Sequence, residues 1–369
     1  MGGIISNTAA HYDLYRFNQE VPQEWENYKA HSTTDFTTLE NGRGYLYAHS
    51  TDTTLIFSGT PYIGSGVVDL TYSTLNSDEN MHGWNLVGNP FGTAATLGET
   101  LFYRMNDTGT EIIASQTSTV DAMEGIFVKA TAAGQSVTFT QATRANASQR
   151  GDDGGFIVLD LGHGGAVIDR AIVRLDEGQT LPKFQIRDNS SKIYIPQDGE
   201  DYAVVSVGRD APWHVSAMPV QFKAAENGIY TINVNVENVD LDYLHLIDNM
   251  TGADVDLLAA NGGDARPCVS TYTFTAKTTD YESRFKLVFA ASGDTDGGND
   301  VPFAFISNGN IIVNGEGTLQ VIDILGRELV RKELATLNPQ LSTLNYTPGV
   351  YILRLINGED VRVQKIVIR

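Results

Sequence analysis

The sequence predicts an all-β protein made of antiparallel β-sandwiches in several domains. Three observations carry that prediction. The 369 residues include 36 glycines and are rich in Thr, Val, Asn and Asp, the residues of strands and tight turns. Short apolar runs alternate with polar residues, and turn signals fall every 8–15 residues through the middle of the chain. Sustained helical periodicity is almost absent. An apolar fraction of 41% is enough for packed cores, and the length is that of two or three domains.

Two polar, turn-rich stretches read as linkers: "QATRANASQRGDDGG" (141–155) and "ASGDTDGGNDVP" (291–302). They set domains at 1–148, 149–300 and 301–369. Charge changes at the second break. From Val301 onward seven basic residues meet six acids, so the tail carries +1 while residues 1–300 carry −21 of the total −20. Such acidity argues against nucleic acid, whose phosphates need a Lys/Arg surface, and fits an exported, self-repelling protein. With Cys268 as the one cysteine, no intrachain disulfide can form, and a buried small apolar role is expected for it. No run of 18 or more apolar residues exists to span a membrane. The start, Met1-Gly2-Gly3-Ile4-Ile5, lacks the basic region and long apolar core of a signal peptide.

The first domain holds an internal echo. "GYLYAHSTDTTLIFSGT" (44–60) and "GIFVKATAAGQSVTFTQAT" (125–143) each open with Gly, run through an apolar strand and a polar turn, and end a second strand at Phe57 or Phe139. Two similar hairpins are expected. Between them "GWNLVGNPFG" (83–92) reads as a strand stopped by Asn89-Pro90, since proline has no N–H for a ladder. A short helical turn is expected near Val21–Tyr28. The second domain offers nine strands, near 156–161, 172–175, 192–195, 202–207, 218–222, 230–236, 243–248, 271–275 and 284–290, the spacing of a two-sheet sandwich.

In the third domain, "IIVNGEGTLQVIDILGRELVRKEL" (311–334) alternates strands with Gly turns, and Gly326 suits a positive-φ turn position. Asn357-Gly358 signals a tight hairpin between Val350–Ile356 and Val361–Arg369. Val361, Val363, Ile366, Val367 and Ile368 are expected to pack, each large side chain gaining roughly 1.5–3 kcal/mol. Lys365 and Arg369 should face solvent. The alternation falters at Gln364-Lys365, which predicts a bulge or a change of packed face there.

"VIDILGREL … YTPGVYILRLINGEDVRVQKIVIR" resembles the C-terminal sorting domain of proteins exported by the type IX secretion system of Bacteroidetes. The matching pieces are Ile324-Leu325-Gly326-Arg327, Pro348-Gly349-Val350-Tyr351 and Lys365-Ile366-Val367. The resemblance implies a small immunoglobulin-like sandwich over about 302–369, an address read by the secretion machinery, and a sorting signal in Gly326, Arg327, Gly349, Tyr351 and Lys365. Further likenesses, "GWNLVGNPF", "GIFVK" and "LIDNMTGADVDLL … YTFTAKTTDYESRFKLVF", are to non-catalytic modules upstream of such tails in large surface proteins. The chain is therefore expected to be the C-terminal part of a longer one, exported to the cell surface or secreted. Asp52-Thr53-Thr54 resembles the O-glycosylation pattern of the same bacteria, against a plain turn at Thr53.

Candidate chemistry is sparse. The histidines at 11, 32, 49, 82, 163, 214 and 245 show no metal-ligand spacing, and Gly162-His163-Gly164-Gly165 reads as a turn. No nucleophile elbow or phosphate-cradling loop occurs. Asp294, Asp296 and Asp300 form a candidate Ca²⁺ cluster, but Phe305 stands where an EF-hand places its bidentate Glu, and a solvated linker is the favoured reading. Arg150-Gly151-Asp152 spells an integrin tripeptide that short chance matches also produce. Tyr45, Tyr47, Tyr62 and Trp84 could line a sugar platform, although strand aromatics more often pack in cores. The expectation is a non-enzymatic, monomeric adhesin or display protein without a cofactor. Its ligand would be a host protein or a glycan. A carbohydrate-binding module beside an upstream hydrolase and a cryptic hydrolase are the alternatives.

Overall fold

The computed structural model describes residues 12–31, 35–56, 60–141, 155–186, 189–197, 199–207, 217–239, 243–258, 268–289, 303–307, 310–313, 317–334, 340–342, 346–347, 349–358 and 360–368. The chain is nearly all β, in multiple sheets whose pairings, among the described residues, are antiparallel with one exception.

In the first segment, Tyr12–Phe17 lies between Trp25–Asn27 and Leu46–His49. A second sheet runs in the order Trp84–Gly88, Gly125–Lys129, Tyr103–Met105, Ile112–Ala114. The strand at 84 stops where Asn89-Pro90 predicts, because the Asn89 side-chain amide donates to the carbonyls of Thr93, Val120 and Asp121. The expected helical turn forms slightly later, at Tyr28–His31, after a short strand at Trp25–Asn27.

The two echoing stretches are not hairpins. Gly125–Lys129 pairs with Trp84–Gly88, whereas Ser136–Thr138 pairs with Val67–Asp69 in another sheet. Leu46–His49 pairs with Tyr12–Phe17, and residues 52–56 form no strand. The reason is local. Ala130 N–H donates to Gly83 O and Leu70 N–H to Gln135 O, so the chain between 130 and 135 is drawn to other segments. What repeats is a strand signal, not a pairing.

The second segment forms one hydrogen-bonded path of strands. Its order is Ala253–Asp256, His245–Asp248, Phe285–Val288, Ala217–Lys223, Lys192–Gln197, Glu200–Ser206, Ala166–Leu175, Gly155–His163, Gly228–Glu237, Cys268–Ala276, with Leu181–Pro182 beside Glu200–Ser206. Its two arms close on one core, in which Phe222 and Phe285 from one arm meet Phe274 from the other at ring distances of 5.1 and 5.0 Å. Sandwich packing thus comes from a single curled path instead of two separate sheets. The one parallel pairing, Ile172 opposite Val204, lies where the arms join. Leu181–Pro182 is too short to leave a pattern in the sequence, and Ala253–Asp256, with Asp at every second position, has too little apolar content to leave a clear one.

The junction arm is apolar on both sides. Ile157, Leu159, Val173 and Val205 point to the sandwich core; Val158, Ile172 and Val204 pack instead with Phe17, Trp84, Tyr103 and Phe127 of the first segment. Phe184 sits 4.2 Å from the Trp84 ring, centre to centre. Tyr103 Oη donates to Pro182 O at 3.0 Å and accepts from Phe184 N–H at 2.9 Å. Asn106 Nδ2 donates to Val167 O, and Arg170 Nη1 to Ala114 O. The boundary drawn at 148 therefore separates two stretches of chain that share one buried cluster.

In the third segment, Ala304–Ser307, Asn310–Val313 and Gln340–Ser342 form one sheet. Glu328–Leu334, Gly317–Asp323, Gly349–Asn357 and Asp360–Ile368 form the other, in that order. Phe303, Ile311 and Leu341 pack against Leu319, Val321, Leu353, Leu355, Ile366 and Ile368. The final hairpin pairs without interruption from Gly349–Ile368 to Asn357–Asp360. No bulge occurs at Gln364-Lys365, because Gln364 continues the inward row: it accepts from Ala304 N–H at 2.8 Å and donates to Ala304 O. Val361 and Val363 consequently lie on the outer face, 42% and 56% exposed, and do not pack as expected. Lys365 is exposed as expected; Arg369 lies outside the described residues.

Among the described residues one ion pair is fully enclosed. Arg284 donates to Asp248 at 2.9–3.2 Å and to Thr275 O at 3.0 Å, with both side chains 2% exposed or less. Asp248 also accepts from Tyr272 Oη and Met250 N–H, and the guanidinium lies over the Phe274 ring. Arg284→Ala strands that carboxylate in the core and should lower stability by about 3–5 kcal/mol in urea titration. At the junction, Phe184→Ala should cost a similar ~3–5 kcal/mol. It should also raise iodide quenching of tryptophan fluorescence as Trp84 opens to solvent; unchanged quenching would mean the shared cluster does not hold the first two segments together.

Candidate functional site

The C-terminal sheet gathers residues that lie far apart in the chain. Its register sets Asp323 opposite Tyr351 and Tyr351 opposite Ile366. One step along, Ile322 faces Ile352, which faces Lys365; two steps the other way, Gly349 faces Ile368. The turn after Asp323, the start of the Gly349–Asn357 strand and the last residues of the final strand meet at one end of one sheet. All five residues expected to carry a sorting signal, Gly326, Arg327, Gly349, Tyr351 and Lys365, come to this end.

Their roles differ. Gly326 takes φ +80°, a region strained for a side chain, and its N–H donates to Asp323 O. Asp323 then locks the turn. Its carboxylate accepts from the N–H groups of Leu325 and Arg327 at 2.9 Å and from Arg327 Nε at 2.7 Å. The Arg327 N–H, then its guanidinium and the Leu325 N–H, hold the Asp323 carboxyl below the usual carboxylate range. Tyr351 is buried; its hydroxyl donates to Thr347 O at 2.7 Å and its ring meets Tyr346 edge-on. At Gly349 an added Cβ would make only ordinary contacts, so neither space nor backbone angle requires glycine there. Lys365 is exposed.

The side chains this turn displays belong to the matching piece Ile324-Leu325-Gly326-Arg327 but are not among the five residues expected to carry the signal. Ile324 is 75% and Leu325 73% exposed at its apex. A register shift between Val321 and Ile322 skips Leu329, which is 45% exposed beside them. An apolar pair at the apex of an otherwise polar turn is the signal that could have found them.

A second candidate is a cleft of about 460 Å³ at the junction of the first two segments. Trp25, Tyr45, Tyr47 and Phe127 contribute aromatic surface, and Glu124, Asp169 and Lys183 line it. Of the aromatics expected to form a sugar platform, Tyr45 and Tyr47 are here, half-buried, stacked on Phe36 and Tyr12 respectively. Trp84 is wholly buried and Tyr62 packs on Phe91 in a separate cluster. Trp25 and Phe127 join the cleft unforeseen, since only the pairing of distant strands brings them there.

The acids of the cleft are engaged. Asp169 accepts from Lys183 Nζ at 2.6 Å and from Ile193 N–H at 2.7 Å. Burial pushes the Lys183 ammonium down, against the pull of Asp169. Glu124 is gripped at both oxygens by Arg104, at 2.9 and 2.6 Å, and also accepts from Asp121 N–H. Among the described residues no group of three or more His, Cys, Asp or Glu could hold a metal. Asp294, Asp296, Asp300 and Arg150-Gly151-Asp152 lie outside the described residues. His163, expected in a turn, is instead the last residue of the Gly155–His163 strand, just before the Gly164-Gly165 turn; it stacks on Tyr230 and pairs with Glu226. Thr53 is exposed and outside any strand.

Among the described residues no helix is long and apolar enough to cross a membrane. No curated protein sequence and no solved structure matches this chain. Residues 305–369 match the family of secretion system C-terminal sorting domains. That span holds the turn, the buried tyrosine and the final hairpin that the register brings together. The chain thus carries at its C-terminal end a type IX secretion sorting domain of the Bacteroidetes kind, which directs its export to the cell surface or the medium.

Proposed function

We propose that residues 12–289 are the non-catalytic, ligand-presenting body of a surface protein of adhesin or display type, and that the sorting domain engages the export machinery and anchors it. The ligand class is a host protein or glycan, and the protein acts as a monomer without a cofactor. The observation that carries this reading is the state of the junction cleft. General acid–base work needs a carboxylate or lysine poised to exchange protons with a substrate. Here Asp169 is spent on Lys183 and a backbone amide, and Glu124 on Arg104. The exposure of Thr53 supports its reading as an O-glycosylation site.

A second reading, a carbohydrate-binding module serving a hydrolase, is favoured by the aromatic wall of Trp25, Tyr45, Tyr47 and Phe127 in the same cleft. Tyrosine and tryptophan faces stack on sugar rings while their polar tips hydrogen-bond.

Two measurements test these readings. On a glycan array the display reading expects no sugar whose saturable binding is lost in Tyr47→Ala; such a sugar would move the function to the carbohydrate module. In a host with type IX export, deletion of residues 305–369 should leave the body folded and held inside the cell envelope. Undiminished surface delivery of the truncated chain would remove the sorting domain from the account of export.

A further inference from the structure

We propose that Ile324 and Leu325, with Leu329 beside them and Lys365 across the sheet, form the surface by which the sorting domain docks on a protein of the export machinery. That partner presents an apolar socket with a carboxylate at its rim. The inference rests on the reading of residues 305–369 as an export address.

Exposure is the first ground. A compact sandwich that buries Leu319, Val321, Leu353, Leu355, Ile366 and Ile368 leaves two large aliphatic side chains about three-quarters exposed at one apex. Folding gains little from them there, and as adjacent side chains at one apex they form an apolar patch open to a partner.

Rigidity is the second. Three bonds to the Asp323 carboxylate and the Gly326 backbone fix the turn before any partner arrives. A preorganised apex loses little conformational freedom on docking, so its apolar area converts efficiently into affinity. Gly326 and Arg327 then act as positioning residues for the pair that precedes them.

Charge gives the chemistry of the partner. Asp323 is paired with Arg327, and Glu328 with Arg331 at 2.8 Å, so the apex carries no net charge. From it the outer face continues through half-buried Ile322 and Ile352 to Lys365, the three set in one row by the register. Lys365 has no carboxylate partner among the described residues. The complement is an apolar pocket with an acid beside it. A second copy offers the same patch, whose acids Asp323 and Glu328 are already paired with arginines, so it has no free carboxylate to meet Lys365, which disfavours self-association.

The test uses the full chain in a host with type IX export. Ile324→Ser/Leu325→Ser should cut surface-delivered protein, read by protease access on intact cells, about tenfold or more, the change that ~1.4 kcal/mol of lost contact energy brings. Lys365→Glu should reduce it in the same direction, and Ile324→Val/Leu325→Met should deliver normally. Both exposed-residue variants should keep the parent melting temperature. Deletion of residues 305–369 is the reference. If the deletion blocks delivery while Ile324→Ser/Leu325→Ser delivers at the parent level, the docking surface lies elsewhere and this proposal is overturned. If the deletion itself delivers normally, the export reading fails first. A delivery defect that comes with a lowered melting temperature, or a concentration-dependent dimer that the double substitution abolishes, would also overturn it.

Discussion

Gly155–His163 and Ala166–Leu175 are apolar on both faces, and each face is covered by a different part of the chain. That double burial is the constraint around which the body is organised. A strand wet on one side would show polar residues at every second position; "FIVLDL" and "AIV" do not. One side closes the sandwich. The other needs an apolar lid, and the first segment supplies it with Phe17, Trp84, Tyr103 and Phe127 around Phe184. Because no disulfide can form, this contact has no covalent support. It is fixed in direction by Tyr103, whose hydroxyl both gives and takes a backbone hydrogen bond across the junction. The apolar rings supply the area and the hydroxyl sets the register between the two surfaces.

The sandwich uses charge in a comparable way. Arg284 and Asp248 lie between aromatic rings in a place where unpaired ions would be costly. They are tolerated because their hydrogen-bonding capacity is nearly filled: the guanidinium reaches Asp248, Asp280 and Thr275 O, and the carboxylate also takes Tyr272 Oη and Met250 N–H. Such a set ties the strand at His245–Asp248 to the one at Phe285–Val288 and to the turn between Ala276 and Arg284. An apolar replacement could fill the space, but it would leave the Tyr272 hydroxyl and the Met250 amide unanswered.

What the sequence made legible and what it hid divide along physical lines. The strands of the sandwich could be read because each is long enough for alternation and bounded by turn residues. The final hairpin could be read because Asn357-Gly358 leaves room for only a tight turn. Pairing between distant strands could not. The likeness of 44–60 to 125–143 reflects shared strand chemistry, yet each strand finds a different neighbour, since which edge is free depends on the whole fold. Counting apolar residues in 361–368 overestimated its packing. Parity decides the matter, and the even positions, Gln364 included, face inward. Gln364 is the instructive residue: a polar side chain in a core row is acceptable because the Ala304 backbone satisfies it. The cleft at the junction was half legible, through Tyr45 and Tyr47, while Trp25 and Phe127 arrive there by tertiary pairing alone.

The sorting domain shows the same separation between what a pattern marks and what a surface displays. Gly326 stands out because the backbone angle admits little else, Arg327 because it closes the Asp323 turn, and Tyr351 because its ring fills the core and its hydroxyl holds Thr347. Each of these requirements is strict, so each leaves a clear mark in sequence. A docking contact made by Ile324 and Leu325 asks only for bulk and apolarity, which several side chains satisfy, and it leaves a faint mark. The residues easiest to recognise are therefore those that build the platform. The chemistry a partner meets lies on the side chains between them, and only the exposure and register of the folded sheet separate the two.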